Sequence, residues 1–106
     1  MQNVIILIMN IPKPGFYYHH KHDPKGEITN YAYEVIGVGM DTESREFNVI
    51  YRPLYQNTFL GKAQYCIRPY EIFIGQVEKG GKMVPRFVKI EDKEVIEELS
   101  GIRRVS

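Results

Sequence analysis

Apolar residues occur along this chain in short runs, each closed by Gly, Pro, Asn or Asp, and the period changes only near the C-terminus. The first run, Val4-Ile5-Ile6-Leu7-Ile8-Met9, is unbroken and rich in β-branched residues, with Asn10 and Pro12 behind it, which predicts a buried or edge strand. It is too short for a membrane span, which needs about 20 apolar residues. It also lacks the basic residues before it and the small residues after it that mark a secretory signal. A rival reading takes Met9 as the natural start and residues 1–8 as an upstream extension.

Beyond the Pro12 to Pro14 punctuation, Gly15 to His20 is aromatic-rich and predicts a strand ended by the Asp23-Pro24-Lys25-Gly26 turn. Tyr31 to Met40 alternates so that Tyr31, Tyr33, Val35 and Gly37 share one face and Ala32, Glu34, Ile36, Val38 and Met40 the other. Glycines at 37 and 39 point to a bend or bulge that lets a small sheet curl. Phe47 to Arg52 predicts an antiparallel partner stopped by Pro53, and Ala63 to Arg68 a further strand closed by Pro69. Phe73 to Lys79 and Lys82 to Lys89 flank Gly80-Gly81, a two-residue loop suited to the positive φ angles of a hairpin turn, with Val77 facing Val84.

After Ile90 the spacing becomes helical. Asp92 is a candidate N-cap, Val95, Ile96 and Leu99 form one apolar stripe, and Gly101 stands where a C-terminal cap would, which predicts about two turns. About six short strands with no long helix between them exclude a parallel βαβ architecture. They predict a mainly β domain: a small SH3-like barrel or roll of five to six strands with a short C-terminal helix, and an OB-like barrel as the alternative. The expected core includes Val35, Ile36, Val38, Val49, Ile67, Val77 and Phe87. Organisation is expected as one domain over 1–106, with a β core at 12–90, an N-terminal strand extension at 1–11 and a helix at 92–101.

Composition narrows the function classes. At 106 residues there is room for one core and no separate cofactor domain. The 14 basic and 13 acidic residues exclude an acidic tail protein and a strongly basic nucleic-acid coat. Cys66 is the one cysteine, so an internal disulfide is excluded, and a reducing, cytoplasmic setting is expected. The near-neutral total hides an asymmetry. Residues 47–90 carry seven Lys or Arg against two Glu, whereas residues 91–98 carry five acids against Lys93.

An ordered series of segments carries a resemblance: Lys13-Pro14-Gly15-Phe16-Tyr17-Tyr18-His19-His20-Lys21, Tyr33-Glu34-Val35-Ile36-Gly37, Tyr51-Arg52-Pro53-Leu54-Tyr55, Arg68-Pro69 with Phe73, and Val84-Pro85-Arg86-Phe87. Over roughly Pro12 to Ile90 the chain resembles a small bacterial family called domain of unknown function 1653, and the series is far more specific than any one segment. The resemblance implies an SH3-like barrel and no particular activity. Met1 to Ile11 and Asp92 to Ser106 lie outside it.

Two clusters bear on chemistry. In Tyr17-Tyr18-His19-His20-Lys21-His22-Asp23, His20 and His22 point to one side of an extended chain, but two histidines do not make a zinc site and no third ligand is placed by spacing. A His of near-neutral pKa could act as acid or base with Asp23 or Glu34 to orient it, so a small enzyme built on His19, His20 and His22 is the alternative function. No G-x-S-x-G elbow, phosphate-binding loop or H-E-x-x-H helix occurs, and Cys66 between Tyr65 and Ile67 reads as a structural thiol. No catalytic residue, metal ligand or cofactor is therefore assigned.

The second cluster joins aromatic rings to arginine: Tyr51, Arg52 and Tyr55, then Arg68 and Tyr70, then Arg86 beside Phe87, with closure of the strands expected to bring Tyr51, Arg52, Tyr55, Arg68 and Arg86 to one rim. Guanidinium forks beside ring faces suit a phosphate, a nucleotide or single-stranded nucleic acid. The competing reading pairs these arginines with Glu34, Glu71 and the acidic helix. The function expected is a non-catalytic module for an anionic ligand, nucleotide or nucleic acid, or for a peptide segment. Its ligand-binding candidates are Tyr17, His20, Tyr51, Arg52, Tyr55, Arg68 and Arg86. A protein partner, or a homodimer paired through the apolar N-terminal strand, is the remaining expectation.

Overall fold

The computed structural model describes residues 11–56 and 60–105, with the side chains of 104 and 105 left aside. The expected strand at Val4 to Met9, the homodimer through it and the rival start at Met9 fall outside these residues.

Seven strands and two helices follow one another among the described residues: β1 Gly15–His19, β2 Ala32–Met40, β3 Phe47–Pro53, β4 Cys66–Pro69, α1 Tyr70–Phe73, β5 Gln76–Lys79, β6 Lys82–Pro85, β7 Phe87–Lys89 and α2 Lys93–Val105. The first four strands and β7 make one antiparallel sheet in the order β4-β3-β2-β1-β7, and β5 and β6 form a separate hairpin. With β4 and β7 as edges the sheet is a curled roll, not a closed barrel. Val77 pairs with Val84 across Gly80 (φ 59°) and Gly81 (φ 79°), the two positive angles the hairpin turn requires.

The two faces of the sheet carry separate cores. Tyr17, Tyr33, Val35, Val49, Tyr51, Tyr70, Phe73 and Phe87 form one, capped by α1. Phe16, Ala32, Leu54, Ile90 and Leu99 form the other, with Val95, Ile96 and Ile102 of α2 packed on it. Strand alternation assigns each residue to its side: Tyr17 and His19 look one way, Phe16 and Tyr18 the other.

A bulge between Val35 and Gly37 changes the phase of β2. Val38 thereby rejoins the face of Val35 and packs on the first core, while Ile36 is left 43% exposed, so the expected core position of Ile36 is corrected. Ile67 is likewise corrected: on edge strand β4 it points away from the core between Cys66 and Arg68, and is 68% exposed. Val77 is only half-buried in the hairpin. The segment 70–73, expected as loop and strand start, turns as α1 because Tyr70 and Phe73 both bury against the sheet. Helix α2 runs through Gly101 to Val105, longer than the two turns expected, because Ile102 extends the stripe of Val95, Ile96 and Leu99 over the sheet. Its Asp92 cap is as expected, with Oδ1 accepting from the Glu94 and Val95 N–H groups. No helix among the described residues is long and apolar enough to cross a membrane.

Candidate functional site

The end of the sheet where β1 stops and β2 starts gathers the rings. Backbone pairing brings them there: His19 N–H donates to the Tyr31 carbonyl at 3.0 Å, and His20 N–H to the Arg86 carbonyl at 2.9 Å. Arg86 is the bend between β6 and β7, its own N–H bonded to the Gly75 carbonyl at 3.0 Å, so the hairpin's exit is clamped against the two histidines.

The buried floor is Tyr33, Tyr51 and Phe87, with ring centroids 5.5–5.7 Å apart in edge-to-face contacts. Above it runs a row of partly open rings: His20 to His19 at 4.3 Å, His19 to Tyr31 at 5.6 Å, and Tyr31 to Tyr55 at 5.9 Å. Tyr55 is fixed by a hydroxyl pair of 2.6 Å with Tyr33, whose own hydroxyl burial pushes well above the usual range. Tyr31 takes φ 52°, a left-handed conformation that costs an aromatic residue about 1–2 kcal/mol, held by the turn in which Ala32 N–H donates to the Thr29 carbonyl.

Cations border the row. Arg68 Nε donates to the Tyr51 hydroxyl at 3.0 Å, and its guanidinium lies 5.6 Å from the centre of the Phe87 ring. Arg86 Nε donates to the Ile72 carbonyl at 3.2 Å, and Lys79 Nζ to the His20 carbonyl. Neither Arg68 nor Arg86 has a carboxylate partner among the described residues. The histidines register this surplus of positive charge. Burial lowers His19 to about 4, and His20, Arg68, Lys21 and Arg86 act in the same direction. His20 is lowered by burial and by Lys79, Lys21 and Arg86. Its Nδ1 is buried without a hydrogen-bond partner among the described residues.

The sequence-derived candidates divide accordingly. Tyr51, Tyr55, Arg68, Arg86 and His20 come together at this end. Tyr17 instead fills the first core, 7% exposed, with its hydroxyl donating to the Lys13 carbonyl at 2.9 Å. Arg52 leaves the group altogether. It projects from the opposite face to Glu34 at 3.1 Å, and Arg103 of α2 reaches the same carboxylate at 2.7 Å. The expected rim of Tyr51, Arg52, Tyr55, Arg68 and Arg86 is thus corrected for Arg52, to which alone the competing Glu34 pairing applies.

The three histidines do not converge either. His22 stacks on Tyr18 with centroids 3.5 Å apart, and its Nδ1 bonds the Asn30 carbonyl, on the side to which Tyr18 points. No three His, Cys, Asp or Glu side chains among the described residues gather to hold a metal. Cys66 packs half-buried against the first core, and burial raises its thiol pKa against the opposing pull of Arg68.

Sequence reasoning missed Tyr31, gave His19 only to the enzyme reading, and placed Phe87 beside Arg86 and in the core without making it a binding candidate. The alternation of Tyr17 with His19 and of Tyr31 with Tyr33 was the available signal for the shared face.

A small mainly-β roll with one ring-lined, cation-bordered end is the class of domain that fold and site define. The chain belongs to the family described as a protein of unknown function, DUF1653, whose model matches residues 15–89, the seven strands and α1 without α2. A crystal structure of a DUF1653 protein from Bordetella bronchiseptica is similar to it at 26% identity and a TM-score of 0.59, over 74% of this chain and 87% of that one. No curated protein matches the chain.

Proposed function

We propose that this protein is a binding module for an anion bearing a flat ring, a nucleotide or a nucleic acid, taken up between Arg68 and the His19–Tyr31 row. The observation that carries the reading is Arg68 itself. It is half-buried over Phe87, bonded to a neutral phenol, and without an acidic partner among the described residues, while Arg52 is engaged by Glu34. An arginine so placed keeps charge and donors for a ligand's phosphate, and the adjoining rings offer faces for a base. Rings alone would suit a cation equally well. The neighbouring Arg86 and Lys21, which add to burial in lowering both His19 and His20, and Lys79, which does so for His20, weigh against a cationic guest.

The test is calorimetric titration of the chain with a mononucleotide and a short single-stranded oligonucleotide at about 50 mM and about 200 mM salt. Binding that weakens with salt and is reduced at least about tenfold by Arg68→Gln supports the reading, since a charge-assisted bond contributes about 1.5–3 kcal/mol. Absence of binding to both ligands at the lower salt overturns it. Turnover of either ligand that His20→Ala abolishes would favour the enzyme alternative.

A further inference from the structure

We infer that the natural ligand is a single strand of nucleic acid of more than one nucleotide, with Tyr31 and Tyr55 carrying a base beside the one held next to Arg68. This rests on the binding reading above and makes a narrower claim. The row His20, His19, Tyr31, Tyr55 is contiguous, no neighbouring pair of centroids being more than 5.9 Å apart. It crosses the ends of β1, β2 and β3, a width of about 10 Å at the usual strand spacing. A stacked strand advances about 3.4 Å per nucleotide. At about 3.4 Å per nucleotide, a row about 10 Å wide accommodates two to three bases, and a lone nucleotide leaves most of it bare.

Charge along the row has a direction that suits a strand. The cations Arg68, Arg86 and Lys79 lie at the histidine end, where a phosphate is favoured. The far end opens into a cleft of about 550 Å3 lined by Tyr31, Tyr55, Thr29, Gln56 and Glu27, which has no cation and one carboxylate. A second phosphate is disfavoured there; a neutral base with polar edges is not. Tyr31 is 38% exposed yet held at φ 52°, a conformation Gly or Asn would adopt more cheaply, and the turn that imposes it sets the ring against His19. A ring kept on the surface in a costly conformation, touching His19 and Tyr55 of the row, suits a stacking platform.

The experiment is a length series on the full chain, from a mononucleotide to oligonucleotides of about ten nucleotides, followed by calorimetry at about 50 mM salt. Affinity is expected to rise at least about tenfold by the trinucleotide and then to flatten. Tyr31→Gly removes the ring and suits the positive φ, so it retains the fold, checked by its circular dichroism and melting temperature. It is expected to weaken the trinucleotide about tenfold and to flatten the length dependence. Arg52→Gln, on the opposite face, should match the parent throughout. A mononucleotide bound as tightly as the longer strands overturns this inference and leaves the proposed function standing, as does a Tyr31→Gly chain with an unaltered length series. Failure of every length, the mononucleotide included, overturns both.

Discussion

Truncating Leu99 to Ala should destabilise the protein far more than truncating Ile67, although both are apolar residues in short runs. Leu99 is fully enclosed between α2 and the sheet, at 0% exposure among Phe16, Ala32, Leu54 and Ile90. Removing its buried methyl groups forfeits their transfer energy and leaves a cavity, together about 3 kcal/mol within the usual 2–5 kcal/mol range. Against a total stability of about 5–15 kcal/mol, this is a loss of roughly 12–24 °C in melting temperature for a domain of this size. Ile67, at 68% exposure on edge strand β4, has little to lose, and its truncation should cost below about 1 kcal/mol. Urea denaturation of the two variants, read by far-ultraviolet circular dichroism, measures both values on one scale. A loss under about 1 kcal/mol for Leu99→Ala, or equal losses for the two variants, would refute the docking of α2 on the second core.

Acidification should destabilise the chain through His19: its folded pKa of about 4 lies below the unfolded value of 6.5, so its stabilising contribution is complete above pH 6.5 and is lost as pH falls toward 4. NMR titration of the His19 ring gives that value directly, and a midpoint at or above 6.5 would contradict the burial and cation field described. Glu34→Gln should cost about 1 kcal/mol, less at high salt, because Arg52 and Arg103 lose one shared and partly exposed partner; salt-independent melting temperatures would count against this. Cys66 should label slowly in the native protein at neutral pH and quickly once unfolded, since burial raises its pKa, and fast stoichiometric native labelling would show the opposite.

What was legible in the sequence was what is decided locally. Gly80-Gly81 dictates its own turn, and Asp92 its own cap, so the hairpin register and the start of α2 are where the pattern places them. The bulge was half-legible: Gly37 and Gly39 announce a bend, but which residues change face depends on the partner register, in which Val35 meets Tyr51 and Gly37 meets Ile50. Ile36 and Val38, on one face in simple alternation, part for that reason: Val38 packs on the core and Ile36 does not. At the site, adjacent Tyr51 and Arg52 cannot face the same way in a strand, so their separation was implicit in the alternation. The left-handed Tyr31 was not legible, because only the turn closing on β1 imposes it. The sequence also holds no sign that α2 would take Arg103 to Glu34, or that Arg68 and Arg86 would have no acidic partner among the described residues.

The most direct test of where the ligand sits is amide and ring chemical-shift mapping of the isotope-labelled chain, titrated with a short single-stranded oligonucleotide at low salt. Perturbations should centre on His19, His20, Tyr31, Arg68 and Phe87, with the Arg68 Nε resonance among the largest and α2 silent. Perturbations confined to α2 and the Arg52–Glu34 face, or none at saturating ligand, would contradict it.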